Sequence, residues 1–309
     1  MAANLCELAS TLPRLIGTLL DREAKLKKGR FREETLTDVL TASLAAFAGP
    51  ELVIEYPDEV ATGGDLDLEF WHAASRRRTL IRVQAKRLNA STNNGKAVAI
   101  AHRSYRELLH KVPKTAEYQY KTLLAEAGAH LPLYMFYNHR SASMDPHFNG
   151  THPEVTGVNL AFAHDIANEL QLKLDAEGEV PRRRLHHKRL SHLQPHLFGL
   201  DLLLCAGTEP GGFVPTPDAV RERLAEEWRR IQRDDDRLVP AGLRRLAEPT
   251  QVATYSDAQR RLPDGPAVRF GANVPRTTLT FISGRTDDER TPQIYEGHGA
   301  SAAASRRRS

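Results

Sequence analysis

Two short runs of alternating hydrophobicity between Asp65 and Leu88 limit what this chain can fold into more than any other feature. In the first, Leu66, Leu68 and Phe70 alternate with Asp65, Asp67 and Glu69. In the second, Ile81, Val83 and Ala85 alternate with Leu80, Arg82, Gln84 and Lys86. A period of two sends each set to one face of a strand, so both runs predict strands with an apolar and a polar face. The basic stretch His72–Arg78 between them predicts the turn of an antiparallel pair. The fold must bury one face of this pair and either solvate or employ the carboxylates, glutamine and lysine on the other.

The flanking segments supply the rest of an α/β fold. Leu5, Leu8, Leu12, Leu15, Ile16, Leu19 and Leu20 predict a helix within residues 5–28. Leu36, Val39, Leu40, Leu44 and Phe47 predict a second over Arg32–Ala48, stopped by Gly49-Pro50. Leu52–Tyr56 reads as a strand ahead of the pair, and Asn89–Gly95 as a loop after it. A helical region follows over about 102–129, broken near Pro113. Leu131–Asn138 and Val158–Phe162 read as strands, with a helix over about 165–172. The order helix, three strands, helix, strand predicts a crossover that returns the chain to the sheet. Leu200–Cys205 is a short apolar run. Pro217–Arg233 predicts a helix, with Ala219, Val220, Leu224 and Trp228 on its buried face. Beyond Gln251 turn residues are scattered and periodicity is weak. Residues 1–175 therefore read as the core, 176–250 as a basic, partly helical extension and 251–309 as a disordered tail.

Composition narrows the class. With 309 residues, 40% of them apolar and 27% charged, the chain can bury a sizeable core. No apolar run approaches the roughly 20 residues of a membrane helix. The N-terminus lacks the basic start and apolar stretch of a signal peptide. Two cysteines, Cys6 and Cys205, make no framework, so a reducing cytoplasm is expected. A net charge of +4 suits a polyanionic partner without demanding one.

The polar face carries the chemistry of phosphodiester cleavage. That reaction needs a hard cation, carboxylates to hold it and a positive group beside the reacting phosphate. Asp65 supplies a carboxylate, Gln84 a side-chain carbonyl oxygen, and Lys86 an ammonium on the same face as Gln84. Asp67 serves equally as a second metal ligand or as the next residue of a solvated face.

Asp65, followed on the next strand by Val83-Gln84-Ala85-Lys86-Arg87 and preceded by a glutamate-bearing helix, resembles the PD-(D/E)xK nuclease superfamily. It is most similar to the restriction-endonuclease-like members. The chain also resembles an uncharacterised bacterial family with a glycine–aspartate strand, a glutamine–alanine–lysine strand and a later motif matched by Pro132-Leu-Tyr134-Met-Phe136-Tyr137-Asn138. The resemblance covers residues 30–140 in detail. It implies a restriction endonuclease-like core, Mg²⁺ or Mn²⁺ as cofactor and nucleic acid, DNA before RNA, as substrate. It further implies Glu34 (with Glu33 the alternative), Asp65, Gln84 and Lys86 as catalytic residues, with Glu34, Asp65, Gln84 and Asp67 around the metal. Such cores serve in bacterial defence, and many act as homodimers. The departure is Gln84, which stands where an acid is commonest and removes a negative charge from the site.

Two rival functions use the same residues. A nucleotidyltransferase would employ Asp65 and Asp67 after Gly63-Gly64, yet its glycine turn ordinarily lies further upstream. A catalytically decayed nucleic-acid binder would keep the basic surface and lose the metal. Gln119 could point at the site from the next helix or sit on the surface. His186, His187, His192, His196 and Cys205 are zinc-ligand types, but no paired cysteine motif accompanies them and Pro195 interrupts their helix. The basic run Arg182–Arg189 suits a solvated or phosphate-contacting surface better.

Overall fold

The computed structural model describes residues 5–23, 26, 30–47, 51–55, 65–89, 92–93, 96–112, 116–177, 188–208, 212–232 and 277–284. In chain order the helices are α1 (Leu5–Asp21), α2 (Glu33–Phe47), α3 (Gln119–Glu126), α4 (Arg140–Ser143), α5 (Ala163–Glu177), α6 (Leu190–Leu193), α7 (Asp201–Leu204) and α8 (Pro217–Gln232). The strands are β1 (Leu52–Glu55), β2 (Asp65–His72), β3 (Arg77–Arg87), β4 (Thr92–Asn93), β5 (Lys96–Ala97), β6 (Leu131–Tyr137), β7 (Val158–Phe162), β8 (Phe198–Gly199) and β9 (Thr277–Ser283). Seven strands form one open sheet in the order β1-β9-β2-β3-β6-β7-β8. The protein is thus mixed α/β.

Alternation along the strands builds two cores. Leu66, Leu68 and Phe70 of β2, Val83 and Ala85 of β3, and Leu133 and Met135 of β6 face α1, α2, α7 and α8. Tyr134 and Phe136 of β6 and Ala161 of β7 face α3, α5 and α6. Helices therefore cover both faces. β2 and β3 pair antiparallel with Asp65 opposite Gln84 and Asp67 opposite Arg82. β3 and β6 run parallel with Gln84 beside Tyr134. Parallel neighbours need a crossover, and residues 88–130 provide it.

That crossover is not the helix expected over 102–129. Two short 3₁₀ turns, Ile100–His102 and Arg106–Leu109, precede α3. Tyr105 N–H donates to Lys188 O at 3.0 Å and Leu190 N–H to Arg103 O at 2.9 Å. The backbone here bonds to a distant segment, so the helical apolar spacing is overridden by tertiary pairing. Part of the expected loop Asn89–Gly95 is also regular, since β4 pairs with β5.

The larger correction concerns the tail. Residues 277–283, inside the segment expected to be disordered, form β9 between β1 and β2. β9 runs antiparallel to β1 and parallel to β2, so the first strand does not touch the second. Phe281 is fully buried and its ring stacks on Phe70 at 4.8 Å. Packing also ignores the boundary expected at residue 175, because Leu203, Val220, Leu224 and Trp228 share one core with α1 and β2.

α1 sits unusually close to the sheet end. A Cβ on Gly157 would stand 1.8 Å from Pro13 O, and one on Gly17 would stand 2.9 Å from Arg140 N. Only glycine permits either approach. At its start α1 is joined to the rest of the chain by a disulfide between Cys6 and Cys205. The expectation of a reducing compartment rested on these cysteines making no framework, and the bridge removes that support. No described helix is long and apolar enough to cross a membrane. The bridge joins cysteines separated by 199 positions in sequence. Cys6→Ser is expected to lower stability by about 2–5 kcal/mol, because the unbridged denatured chain gains entropy. Urea unfolding with and without dithiothreitol checks this: reductant should shift the native protein to the variant's midpoint and leave the variant unmoved.

Candidate active site

The site lies where the end of β3 meets the first turns of α2 and α3. Gln84 and Lys86 share the β3 face that looks away from the α1–α2 core, and both are buried, at 3% and 4% exposure. Lys86 Nζ donates to Gln119 Oε1 at 2.8 Å. Gln119 is the first residue of α3, so the helix start aims its amide at the lysine. Gln84 Oε1 is buried and accepts no hydrogen bond from the described residues. Asp65 stands opposite Gln84 in the register. Its side chain lies outside the described part of the structure.

Of the two candidate helix glutamates, Glu33 and not Glu34 reaches β3. Glu33 Oε1 accepts the backbone N–H of Arg87 at 3.1 Å. Burial pushes its carboxyl above the ordinary carboxylate range, and the Lys86 charge and the Arg87 amide pull it partly back. Glu34 instead meets Arg32 at 3.2 Å in a solvent-facing pair. The two acids differ by one residue, about 100° of helix phase, and only the register of α2 on the sheet decides between them. Thr37 sets that register by a 2.8 Å bond between its hydroxyl and that of fully buried Tyr137.

Asp67, weighed as a second ligand or as part of a solvated face, is buried and paired with Arg82. Arg82 donates to both its oxygens, Nε to Oδ1 at 3.0 Å and Nη2 to Oδ2 at 2.9 Å. The same guanidinium donates to Glu126 O at 2.6 Å, and His130 Nε2 lies 3.6 Å from Asp67 Oδ2. The pair fastens the end of α3 to the sheet, and α3 carries Gln119. Burial lowers the His130 pKa more than Asp67 raises it. Asp67→Ala is expected to cost about 3–5 kcal/mol by leaving Arg82 buried and unpaired. Thermal melts would show this, while Mn²⁺ binding to the folded variant should be retained.

The aromatic strand β6 is core, and its last neighbour is structural. Tyr105 Oη donates to Asn138 Oδ1, and Asn138 Nδ2 donates to Asn159 Oδ1 at 3.0 Å and Thr156 O at 2.9 Å. This network ties the crossover to β6 and β7 beside the site. The zinc set does not assemble: Cys205 is in the disulfide and His196 faces Glu169 at 3.5 Å. His186 and His187 lie outside the described residues. Among the described residues no three His, Cys, Asp or Glu side chains form a metal-holding group.

The fold and site therefore define an α/β protein with a buried lysine among amide and carboxyl oxygens at one sheet end. The chain belongs to DUF6615, a family of unknown function, which matches residues 5–289 and so spans α1 through β9. No curated protein and no solved structure matches it.

Proposed function

We propose that the protein is a metal-dependent nuclease that hydrolyses phosphodiester bonds of nucleic acid, DNA before RNA, on a restriction endonuclease-like core. The observation that carries this is the buried Lys86 on the same strand face as Gln84, whose buried Oε1 has no donor among the described residues. A buried carbonyl oxygen with no donor costs about 1–3 kcal/mol. A hard cation at that oxygen would remove the cost. Gln84, Asp65 and Glu33 offer the oxygen donors Mg²⁺ or Mn²⁺ prefers. When bound, the cation would neutralise phosphate charge and make water more acidic.

The chain's own groups divide the remaining work. Lys86 would stabilise charge on the phosphate and orient the attacking water, and Gln119 would hold its ammonium in one position. Glu33 would complete the oxygen set and keep Lys86 charged. The parallel β3–β6 pair and the helix before β1 agree with such a core. A nucleotidyltransferase is disfavoured because Asp67, one of its two aspartates, is committed to Arg82.

The test is supercoiled plasmid incubated with the protein and Mg²⁺ or Mn²⁺, beside an EDTA control and Lys86→Ala. Nicked or linear DNA in the metal lanes alone, absent with the variant, is the expected result. No cutting together with no Mn²⁺ heat in isothermal titration would overturn the reading in favour of a decayed binder.

A further inference from the structure

The basic segment before α6 has no part in the chemistry above, yet the fold brings its end to the site. Ser104 and Arg189 form an antiparallel bridge. Ser104 O accepts both the backbone N–H and the side-chain amide of Asn89, each at 3.2 Å. Asn89 follows Lys86 by three residues, just beyond the end of β3. Arg103 and Arg189 are thus anchored on adjoining backbone segments next to the candidate site. His102 joins them, with Nδ1 3.3 Å from Arg189 Nη1. The Arg103 charge also reaches the end of β6, where it helps lower the His139 pKa after burial.

These two arginines differ from three of those on β3. Arg77, Arg82 and Arg87 meet Asp218, Asp67 and Glu23. Among the described residues no carboxylate pairs with Arg103 or Arg189; Arg103 Nε donates to Val98 O at 3.4 Å. Both are half-buried, which lowers the local dielectric and strengthens their attraction for an anion. An anion lying across them would supply the counter-charge, and a guanidinium fork fits phosphate oxygens.

We propose that Arg103 and Arg189, with His102 beside them, form a phosphate rim that holds the backbone of a DNA duplex next to Lys86. The proposal rests on the nuclease reading for what Lys86 does there, and its test does not depend on cutting. Contacts of this kind position the duplex without reading its sequence.

Anisotropy of a fluorescein-labelled DNA duplex in the Lys86→Ala background, with Mg²⁺ and salt varied, measures the rim without turnover. Adding Arg103→Ala and Arg189→Ala is expected to weaken binding about tenfold or more and to reduce the slope of log K against log salt by about two, since each phosphate contact contributes about 0.9. Arg223→Ala with Arg229→Ala, on exposed positions of α8, should change neither. If alanine lowers the melting temperature, Arg103→Gln with Arg189→Gln keeps the stems packed and repeats the measurement. An unchanged slope in the rim variants, or an equal loss in the α8 pair, overturns the proposal. Failure of the nuclease reading would look different: the otherwise unaltered protein would bind with the rim dependence intact and cut nothing.

Discussion

Lys86→Ala is expected to lower Mg²⁺-dependent cleavage by about a thousandfold, the loss typical when one preorganised group stabilising transition-state charge is removed. The size of the effect follows from how the lysine is held. Its ammonium is buried, fixed by Gln119 at 2.8 Å and electrostatically coupled to Glu33, so water cannot replace it at low cost. Lys86→Arg should not restore the rate, because a planar fork longer than an ammonium misplaces the charge. Gln119→Ala should act through Lys86 and cost less, since the charge remains while its position loosens.

A second readout does not involve DNA. Glu33 already has a raised pKa, mainly from burial, with Lys86 opposing. Without Lys86 it rises further. The folded state then binds the Glu33 proton more tightly than the unfolded chain does, so stability falls as pH climbs from the ordinary value of 4.5 through the raised one. Urea midpoints of metal-free protein across that window should fall more steeply in Lys86→Ala than in the unaltered chain. A folded Lys86→Ala protein that cuts at the original rate would end the assignment of Lys86.

The sequence exposed those parts of the site whose determinants are local. Period-two alternation in β2 and β3 placed Asp65, Gln84 and Lys86 on one face, and a short basic turn implied their antiparallel pairing. What it hid depends on partners. Glu33 and Glu34 are equivalent until α2 is docked by Thr37 and Tyr137. Asp67 reads as a ligand until the β2–β3 register sets Arg82 opposite it, a signal that was present in the spacing. Gln119 carries no mark of function, because the crossover that delivers it is held in place by bonds to residues 188–190, far along the chain. Cys6 and Cys205 meet only because α1 and α7 pack on one core.

The deepest omission, β9, leads to the other large expected effect: a chain ending at residue 276 should fail to fold. Thr277–Ser283 has the β-branched and aromatic content of a strand, with Leu279 and Phe281 sharing one face, but its described partners are far away in sequence. Its partners are β1 and β2 at the other end of the chain, as in the 3.0 Å bond from Ser283 Oγ to Trp71 O across 212 positions. Without β9, β1 loses its strand partner and β2 exposes a full edge beside a stripped apolar face. Such an edge is a template for intermolecular pairing, so the truncated chain should aggregate and not merely soften. Phe281→Ala tests the same point more gently. It removes a fully buried ring stacked on Phe70 and should cost about 3–5 kcal/mol in urea unfolding, against under about 0.5 kcal/mol for part-exposed Thr277→Ala. A truncated protein that unfolds cooperatively at the native midpoint would remove β9 from the sheet. Because β2 carries Asp65 and pairs with the strand bearing Gln84 and Lys86, the same truncation should abolish cleavage and Mn²⁺ binding together, whereas Lys86→Ala should abolish cleavage alone.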